Sequence, residues 1–404
     1  MRRWFTAMAA RGVEATDDSP NRRVAENDGN AGEVLGAFLR LGLTSFGGPI
    51  AHIGYFRAEF VQRRRWLDDG AFTDLVALCQ FLPGPASSQT GFALGLLRAG
   101  WPGALAAWVG FTLPSALLLV LFAYGAGSMA GSPLGQGVLH GLKLVAVAVV
   151  AQAVWGMART LCPDRPRAAI ATLAAVLLLL WPGAAAQIGA IVLGGVAGLF
   201  LRVEGAGPGR PIGLGVGRGV GIACLALYAG LLVLPLPPLF AAFYRPGALV
   251  FGGGHVVLPL LRDTVVAHGL VPEGAFLAGY GAAQAVPGPL FTFAAYLGAV
   301  AAGPPGAVLA LVAIFLPGLL ALLGTLPFWE ALRARPRAQA AMRGINAAVV
   351  GILGAALYTP VWTSAVLRPA DLALALVGFV LLTVWRAPPL VVVALGAAGG
   401  GMLR

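Results

Sequence analysis

Four hydrogen-bonding side chains follow a Pro-Gly-Pro triplet inside an apolar stretch, in the segment FLPGPASSQTGF at residues 81–92. Pro83 and Pro85 cannot donate a helical backbone hydrogen bond, and Gly84 lets the chain turn. The side chains that follow are Ser87, Ser88, Gln89 and Thr90. The serines are good N-cap residues, and a helix start presents free N–H groups and a partial positive charge, which together bind anions. The pattern therefore predicts an oxyanion-binding helix start.

The triplet has a second copy at residues 287–289, and Gln80 and Gln284 stand at the same distance before the two triplets. Phe-Gly-Gly (FGG) elements lie upstream of each, at residues 46–48 and 251–253. Irregular backbone inside a bilayer is tolerated only where protein buries it or where it lines a cavity. We therefore expect a substrate site at these breaks, with a purely structural kink as the alternative. The candidate substrate-binding residues are Gly47, Gly48, Pro83, Gly84, Pro85, Ser87, Ser88, Gln89, Thr90, Gly252, Gly253, Gln284, Gly288 and Thr292.

Charged and amide side chains in or beside apolar segments form a second group of candidates. Such residues are costly in lipid and often mark a substrate or proton pathway, although long side chains also extend to the interface. Asp74 is a candidate for carrying a proton or for pairing with an arginine. The candidates for charge compensation and gating are Arg57, Asp74, Lys143, Arg262, Gln80 and Asn346. No metal or cofactor is expected, because the three cysteines are scattered and no zinc motif is present.

The elements that carry these residues are predicted to be membrane-spanning helices. Hydrophobic residues make up 58% of the 404-residue chain and charged residues only 11%, whereas a soluble domain carries roughly 25% charged residues. Apolar runs such as residues 102–127 and 168–201 match the roughly 20 residues that cross a bilayer. The net charge of +11 comes from arginine clusters between such runs. This pattern argues for a multi-pass protein of the lipid bilayer and against nucleic-acid binding.

An internal repeat organises the chain. FGGPIAHIGYFR at 46–57 aligns with FGGGHVVLPLLR at 251–262, and PGALAAWVGFTLP at 102–114 aligns with PGAVLALVAIFLP at 305–317. The matches lie in Gly, Pro and Gln, so they indicate duplication rather than shared apolar composition. The predicted organisation is a disordered tail at 1–33, a first transporter repeat at 34–205, a linker with a connecting transmembrane helix (220–240) at 206–240, and a second repeat at 241–404.

Arginines are distributed unequally between the repeats. Residues 57–69 hold four arginines against one in 262–273, whereas 125–137 is uncharged and its counterpart 330–343 holds four. Since arginine-rich short loops stay cytoplasmic, the repeats are predicted to be inverted, with a parallel duplication and drifted charge as the alternative. The predicted fold class is an all-α polytopic membrane protein of two homologous halves, an inverted-topology repeat. Its FGG and Pro-Gly-Pro segments form broken or re-entrant helices.

These motifs resemble the chromate ion transporter family in its long two-domain bacterial form. The resemblance rests on FGGP, on RRRWLDDGAFTDLVALCQFLPGP at 63–85, and on the second FGGGHVVLPLL and QAVPGP, and it extends over nearly all of the chain beyond residue 33. The positions that match the family's motifs are Phe46, Gly47, Gly48, Pro49, Arg57, Trp66, Gln80, Pro83, Gly84 and Pro85, then Phe251, Gly252, Gly253, Gln284, Pro287, Gly288 and Pro289. The second repeat lacks the arginine cluster and the Trp-Leu-Asp run.

The resemblance implies a secondary transporter of the bacterial inner membrane that exports chromate and confers chromate resistance, with sulfate as a structural analogue. Moving an anion out of an interior-negative cell is favourable by about 2.3 kcal/mol per charge per 100 mV. The membrane potential, a proton gradient or both therefore supply the driving force.

Two other readings stay open. A transporter of the same architecture would carry sulfate or another oxyanion. An intramembrane enzyme would need a catalytic constellation, and neither a GxSxG elbow nor an HExxH site is present, so we expect no enzymatic activity. Chromate is the expected partner, with sulfate as a second anion, and a homodimer is left open.

Overall fold

The computed structural model describes residues 29–46, 48–129, 132–201, 215–251, 254–333 and 335–402. Within these residues every regular element is helical and no strand occurs, so the all-α fold class is confirmed. Several predictions fall on residues outside the described ranges. These residues are Gly47, Gly252, Gly253, positions 1–28 of the predicted tail and positions 206–214 of the predicted linker.

The helices of the first repeat follow the order that its breaks predict. They are α1 (Ala31–Thr44), α2 (Gly48–Phe56), α3 (Asp69–Phe81), α4 (Ala86–Met129), α5 (Pro133–Leu161), α6 (Arg165–Leu180) and α7 (Ala184–Gly198). The α2 helix continues as a π-helix over Arg57–Arg63. Asn30 and Asp68 accept hydrogen bonds from backbone N–H groups in the first turns of α1 and α3, which fixes where these helices begin.

The second repeat recapitulates this order after one additional helix, α8 (Arg218–Val233). Its helices are α9 (Pro238–Leu249), α10 (Val257–Leu261), α11 (Glu273–Ala283), α12 (Phe293–Thr325), α13 (Trp329–Arg333), α14 (Pro336–Ala356), α15 (Thr363–Ala365), α16 (Pro369–Thr383) and α17 (Pro389–Met402). The single span predicted over 220–240 is wrong at its C-terminal end. Pro235, Pro237 and Pro238 end α8 at Val233, because proline cannot continue a helix.

Both α4 and α12 fold back on themselves. Gly100 in α4 has φ +61° and Gly303 in α12 has φ +66°, a left-handed conformation that favours glycine. A Cβ added at Gly95 would collide with the carbonyl group of Gly103, although eight residues of straight helix would separate these positions by about 12 Å. Each of these helices is therefore a hairpin of a short first arm and a long second arm.

The broken helices of the first repeat start and finish together. Glu33, at the start of α1, lies 3.4 Å from Arg64 and 3.1 Å from Arg98, which ends the first arm of α4. Arg57 and Asp69 join the end of α2 to the start of α3 at 2.6 Å. We call this end of the repeat its base and the FGG and Pro-Gly-Pro breaks its tips. The α1–α2 and α3–α4 pairs are thus re-entrant hairpins with one common base.

The long arm of α4 shows how the two repeats are oriented. Its start adjoins the base of the first repeat at Arg98. Its last turns, at Ala123 and Ala126, line a cavity with Gly274 and Val300, which belong to the base of the second repeat. At 1.5 Å per residue, these two ends of the arm are about 38 Å apart. The bases therefore lie at opposite ends of the molecule, as an inverted repeat requires.

Helices of one repeat pack closely against helices of the other. A Cβ added at Gly141 of α5 would collide with the backbone of Gly396 in α17, and one added at Gly344 of α14 would collide with Gly194 in α7. These two contacts are equivalent under the repeat. Small residues of this kind let membrane helices approach each other closely, so the two halves form one interlocked body.

Within the described residues, four helical segments are long and apolar enough to cross a membrane: Ala86–Ala126, Pro133–Leu161, Leu290–Phe328 and Pro336–Ala365. Large apolar side chains face outward on other helices as well, for example Leu173 and Leu180 on α6 and Ile222 on α8. An apolar outer surface of this extent is typical of a protein embedded in lipid.

Candidate functional site at the helix breaks

The tips of the two repeats meet at the centre of the molecule. The Gly84 N–H donates to the Val250 carbonyl at 2.8 Å, and the Gly288 N–H donates to the Ser45 carbonyl at 2.9 Å. Val250 and Ser45 each directly precede an FGG element. One contact is thus made twice with the repeats exchanged, as a two-fold relation requires. Each Pro-Gly-Pro triplet is therefore hydrogen-bonded to the residue that precedes the FGG motif of the other repeat.

The central glycine of each triplet cannot be replaced without strain. Gly84 has φ +109° and Gly288 has φ +102°, values that side chains with a Cβ rarely adopt. A Cβ at Gly84 would lie 2.8 Å from Gly318 Cα, and one at Gly288 would lie 2.9 Å from Ser115 Oγ. Both junctions therefore need glycine for the backbone conformation and for the close approach of the neighbouring helix.

A polar cavity lies where the first FGG element meets the second triplet. The first repeat contributes Gly48 to its lining, and the second contributes Gln284 and Gly288. Gln152 and His255 are the other polar residues of the lining. The remaining lining residues are Val149, Ala283, Val286, Leu290 and Pro389. The cavity volume is about 60 Å³, whereas one water needs about 10–15 Å³. The cavity is large enough for a few waters or for one tetrahedral oxyanion.

Neutral groups dominate the chemistry of this central cavity. Its lining residues include no Asp, Glu, Lys or Arg. His255 Nδ1 lies 2.5 Å from the Tyr280 hydroxyl, and Gln284 Nε2 makes a longer bond of 3.3 Å to the Tyr280 carbonyl. Since α2 begins at Gly48, its free N–H groups and positive dipole end adjoin the cavity. Amide, imidazole and helix-start donors together suit an anion that must be both held and released.

Gln89 stabilises the other junction, where the first triplet contacts the second repeat. Its Nε2 donates to the Pro83 carbonyl at 2.9 Å and to the Gly318 carbonyl at 2.8 Å. The amide donors are therefore committed to backbone groups, and Oε1, which has no partner among the described residues, is an acceptor that would repel an anion. This geometry favours a structural role for Gln89, in contrast to the cavity-lining position of Gln284.

The other hydroxyl candidates divide between bonded and unbonded groups. Ser87 Oγ lies 3.4 Å from His52 Nδ1. Thr90 and Thr292 donate to backbone carbonyls of neighbouring turns at 2.8 and 2.7 Å. Ser88 Oγ is buried and has no hydrogen-bond partner within the described residues. Among these four hydroxyls, Ser88 is therefore the donor still open to a ligand.

Further buried donors near the tips have no partner in the described part of the chain: Ser45 Oγ, Thr112 Oγ1 and Trp108 Nε1. Ser45 lies beside the second triplet, because its carbonyl accepts the Gly288 N–H. Buried polar groups are nearly always hydrogen-bonded in native proteins, so these donors are available to a water or to a ligand. Sequence reasoning missed Ser45 and Thr112, although Ser45 directly precedes the FGG element.

Arg57 and its counterpart Arg262 form ion pairs at the bases of the two repeats and not at the tips. The Arg57 guanidinium donates a bidentate pair of hydrogen bonds to the Asp69 carboxylate, at 2.6 and 3.0 Å. Arg262 makes the equivalent bidentate contact with Glu273, with both bonds at 3.0 Å. The Arg57 guanidinium holds the pKa of the Asp69 carboxyl below its usual value. The length of α3 separates this base from the first triplet by about 20 Å. Neither arginine lines the central cavity.

The remaining candidates lie apart from one another. Gln80, the counterpart of Gln284, is exposed at the end of α3, and Asp74 is half-buried earlier on the same helix. The Asn346 amide oxygen is buried and lacks a partner within the described residues. Lys143 lines a separate and larger cavity of about 440 Å³. The structure thus brings together Gly48, Gln284 and Gly288 but not the charged candidates.

Comparison with known proteins shows the family to which this chain belongs. The model of the family described as "Chromate transporter" matches residues 32–199 and 238–401. The chain belongs to the chromate transporter family. The matched regions contain the two helical repeats and leave out α8, and the resemblance inferred from the FGG and Pro-Gly-Pro motifs is confirmed. The family comprises transporters, so the expectation of no enzymatic activity is also confirmed.

Relatives align over most of this chain. A chromate transport protein of Pseudomonas aeruginosa is 29% identical over 398 residues, which cover 91% of this chain and 90% of that protein. A chromate transport protein of Cupriavidus metallidurans is 27% identical over 372 residues, 91% of each chain. An uncharacterized transporter of Methanocaldococcus jannaschii is 24% identical over 338 residues, 81% of this chain and 83% of that protein. No solved structure matches the chain.

Proposed function

We propose that this transporter exports chromate through the central cavity where Gly48, Gln284 and Gly288 meet. The observation that carries the proposal is the cavity of about 60 Å³ lined by neutral donors at the junction of the inverted repeats. In secondary transporters of this design, the substrate lies at the repeat interface near the bilayer midplane. The names of the relatives in Pseudomonas aeruginosa and Cupriavidus metallidurans support chromate as the cargo.

Charge supports an orientation and a direction. The base of the first repeat carries Arg57, Arg63, Arg64 and Arg65, and the loop before α14 belongs to the same arginine-rich end. Arginine-rich short loops face the cytoplasm, so we place this end inside a bacterial inner membrane. Chromate is a dianion, and an interior-negative potential of 100 mV favours its exit by about 4.6 kcal/mol. Export then needs no ATP and would confer chromate resistance, with a proton gradient as an additional driving force.

Efflux from proteoliposomes tests the proposal. The purified full chain is reconstituted with chromate inside, an inside-negative potential is imposed, and efflux is followed for the wild type and for Gln284→Leu. The matched control is Gln80→Leu, which changes the equivalent but exposed glutamine. A lost hydrogen bond to a charged ligand costs about 1.5–3 kcal/mol, so we expect efflux to fall about tenfold or more for Gln284→Leu and to stay within about twofold of the wild type for Gln80→Leu.

Three results would contradict parts of this proposal. Equal efflux from both glutamine variants would show that the substrate site is not in the central cavity. Efflux that does not depend on the imposed potential would show that the membrane potential is not the driving force. Sulfate efflux without chromate efflux would keep the architecture and change the cargo, because sulfate has the same shape and charge.

A further inference from the structure

A second cavity lies at the base of the second repeat, at the end opposite the arginine-rich loops. Its volume is about 440 Å³, several times that of the central cavity. The polar residues of its lining are Gln136, His140, Lys143, Tyr296 and Ser364. Gln136, His140 and Lys143 recur at helical spacing on one face of α5, so this face is turned towards the cavity.

The charge in this cavity is positive. Lys143 is the only lysine in the chain, and no Asp or Glu belongs to the lining. The nearby Asp371 is fully buried behind His140, whose Nε2 lies 2.9 Å from its carboxylate. Asp371 also accepts the Leu367 and Arg368 N–H groups at 3.0 Å. These donors compensate the carboxylate and fix the imidazole, and Lys143 contributes a positive charge to the lining of the cavity.

The two cavities share two walls. The α5 helix contributes Lys143 to the large cavity and Val149 to the central one, and α11 contributes Ala278 and Ala283 in the same order. Lys143 and Val149 are about 9 Å apart along the helix axis. Beside Lys143 the α5 and α11 backbones touch, since a Cβ at Gly281 of α11 would collide with the Leu142 carbonyl group of α5. The cavities are therefore neighbours along α5 and α11, and the two helices are in close contact at the level of Lys143.

We propose that the cavity around Lys143, the Lys143 vestibule, is a second oxyanion-binding site on the outer side of the membrane. The inference rests on the proposed function, because it assigns the vestibule to the same cargo. Lysine is a compact and strongly hydrated point charge, and the vestibule has room for an oxyanion together with several waters. The central cavity would hold the dehydrated anion, and the vestibule would receive it as it regains water during export.

Thiol labelling tests the charge and the occupancy of the vestibule. Ser364→Cys is introduced into the full chain with Cys79, Cys162 and Cys224 replaced by alanine. Its labelling rates with an anionic and a cationic methanethiosulfonate reagent are compared from the outer side. Removing one charge several ångströms away changes each rate by a few-fold in high dielectric. We therefore expect Lys143→Gln to lower the anionic-to-cationic rate ratio about fivefold or more and Lys143→Arg to preserve it.

Protection by chromate tests binding itself. Chromate should slow labelling of Ser364→Cys in the parent chain, and Lys143→Gln should abolish that protection while Lys143→Arg retains it. Leu134→Cys is the matched control, because Leu134 is exposed on α5 at the same end and is not part of the vestibule lining. Its labelling should respond neither to chromate nor to Lys143→Gln.

Two outcomes separate this inference from the proposed function. Potential-driven chromate efflux from the parent chain, with neither chromate protection nor a Lys143-dependent ratio at Ser364→Cys, would overturn the vestibule site alone. Absence of chromate efflux from the parent chain would overturn the proposed function. In that case, Lys143-dependent protection of Ser364→Cys by sulfate would still support an oxyanion site in the vestibule.

Discussion

Ala126 and Trp329 occupy equivalent positions in the two repeats, yet they make the two ends of the molecule different. At the outer end, the small Ala126 side chain lines the Lys143 vestibule. On the side of the arginine-rich end, the Trp329 indole is buried, with 7% exposure, and its ring lies 5.6 Å from that of Phe81, which ends α3 next to the first triplet. The backbones of the repeats follow one pattern, whereas at this pair of equivalent positions the small side chain leaves a cavity and the large one fills the space beside it.

Charge reinforces this contrast between the ends. The counterpart of Lys143 is Asn346, and the counterpart of His140 is Arg343. In the orientation proposed above, the Lys143 vestibule lies on the outer side, and the Trp329 indole fills the equivalent place on the inner side. Alternating access between inverted repeats exchanges the open end for the closed one. The difference between the two ends therefore shows which side chains must move or unpack when the inner side opens.

Filling the vestibule should have the largest effect. In Ala126→Trp an indole occupies the outer end as Trp329 occupies the inner end, so the outer route is blocked. We expect chromate efflux from proteoliposomes to fall about 100-fold, a barrier increase of roughly 2.7 kcal/mol. Leu121→Trp is the control, because Leu121 is 67% exposed on the same arm of α4. Near-normal efflux from Ala126→Trp would show that the anion does not leave through this vestibule.

The two triplet glycines should respond differently to a methyl group. In Gly288→Ala the nearest atom to the Cβ, at 2.9 Å, is the end of the Ser115 side chain, which can turn away, and the Phe111 carbonyl oxygen follows at 3.1 Å. In Gly84→Ala the nearest atom is the Gly318 Cα at 2.8 Å, which cannot turn away. Both changes carry backbone strain of about 1–3 kcal/mol. We expect Gly288→Ala to fold with efflux lowered about tenfold and Gly84→Ala to lose thermal stability as well. Equal stability of the two variants would contradict the tight packing inferred at Gly84.

Much of this architecture could be predicted because its signals are local. Proline and glycine act on the backbone wherever they occur, so Pro83 and Gly84 reveal a break without knowledge of its neighbours. The arginines of each loop likewise report orientation through the membrane. The pairing of Gln80 with Gln284 identified the equivalent positions, although only the structure shows that Gln284 lines a cavity and Gln80 does not.

Other features depend on residues that are distant in sequence. The reversal of α4 and α12 was not predicted, because apolar runs of this length read as continuous spans. Its signal is present in both repeats as AGWPGA at 99–104 and AGPPGA at 302–307. The internal bonding of Gln89 depends on Gly318, a residue more than 200 positions away. The asymmetry between Ala126 and Trp329 becomes visible only when the fold places them at opposite ends.

Removing the inner indole should open the packed end. We expect Trp329→Ala to raise the rate at which thiol reagents label the buried Cys79 from the arginine-rich side, about fivefold, in a chain with Cys162 and Cys224 replaced by alanine. The lost packing should lower the free energy of unfolding by about 3–5 kcal/mol. Trp155→Ala is the control, because Trp155 is 56% exposed on α5. Unchanged labelling in Trp329→Ala would mean that the indole does not seal the inner side.

The smallest effects should come from the ion pairs at the bases. Arg57 depresses the pKa of Asp69, and a carboxylate with a depressed folded-state pKa contributes stability above its unfolded pKa of about 3.9. That contribution is present at pH 7 and is lost as the pH falls through the lower folded-state value.

The Arg57 pair is about half exposed and the Arg262 pair is less exposed, so screening by water is stronger at the first base. At pH 7 we expect Arg57→Gln to lower the melting temperature by at most about 2 °C and Arg262→Gln to lower it more, both with normal chromate efflux. As the pH falls below about 3.9, the difference between Arg57→Gln and the wild type should become smaller. Loss of efflux in Arg57→Gln with stability unchanged would instead assign Arg57 a role in the transport route, and the bases would then no longer be purely structural.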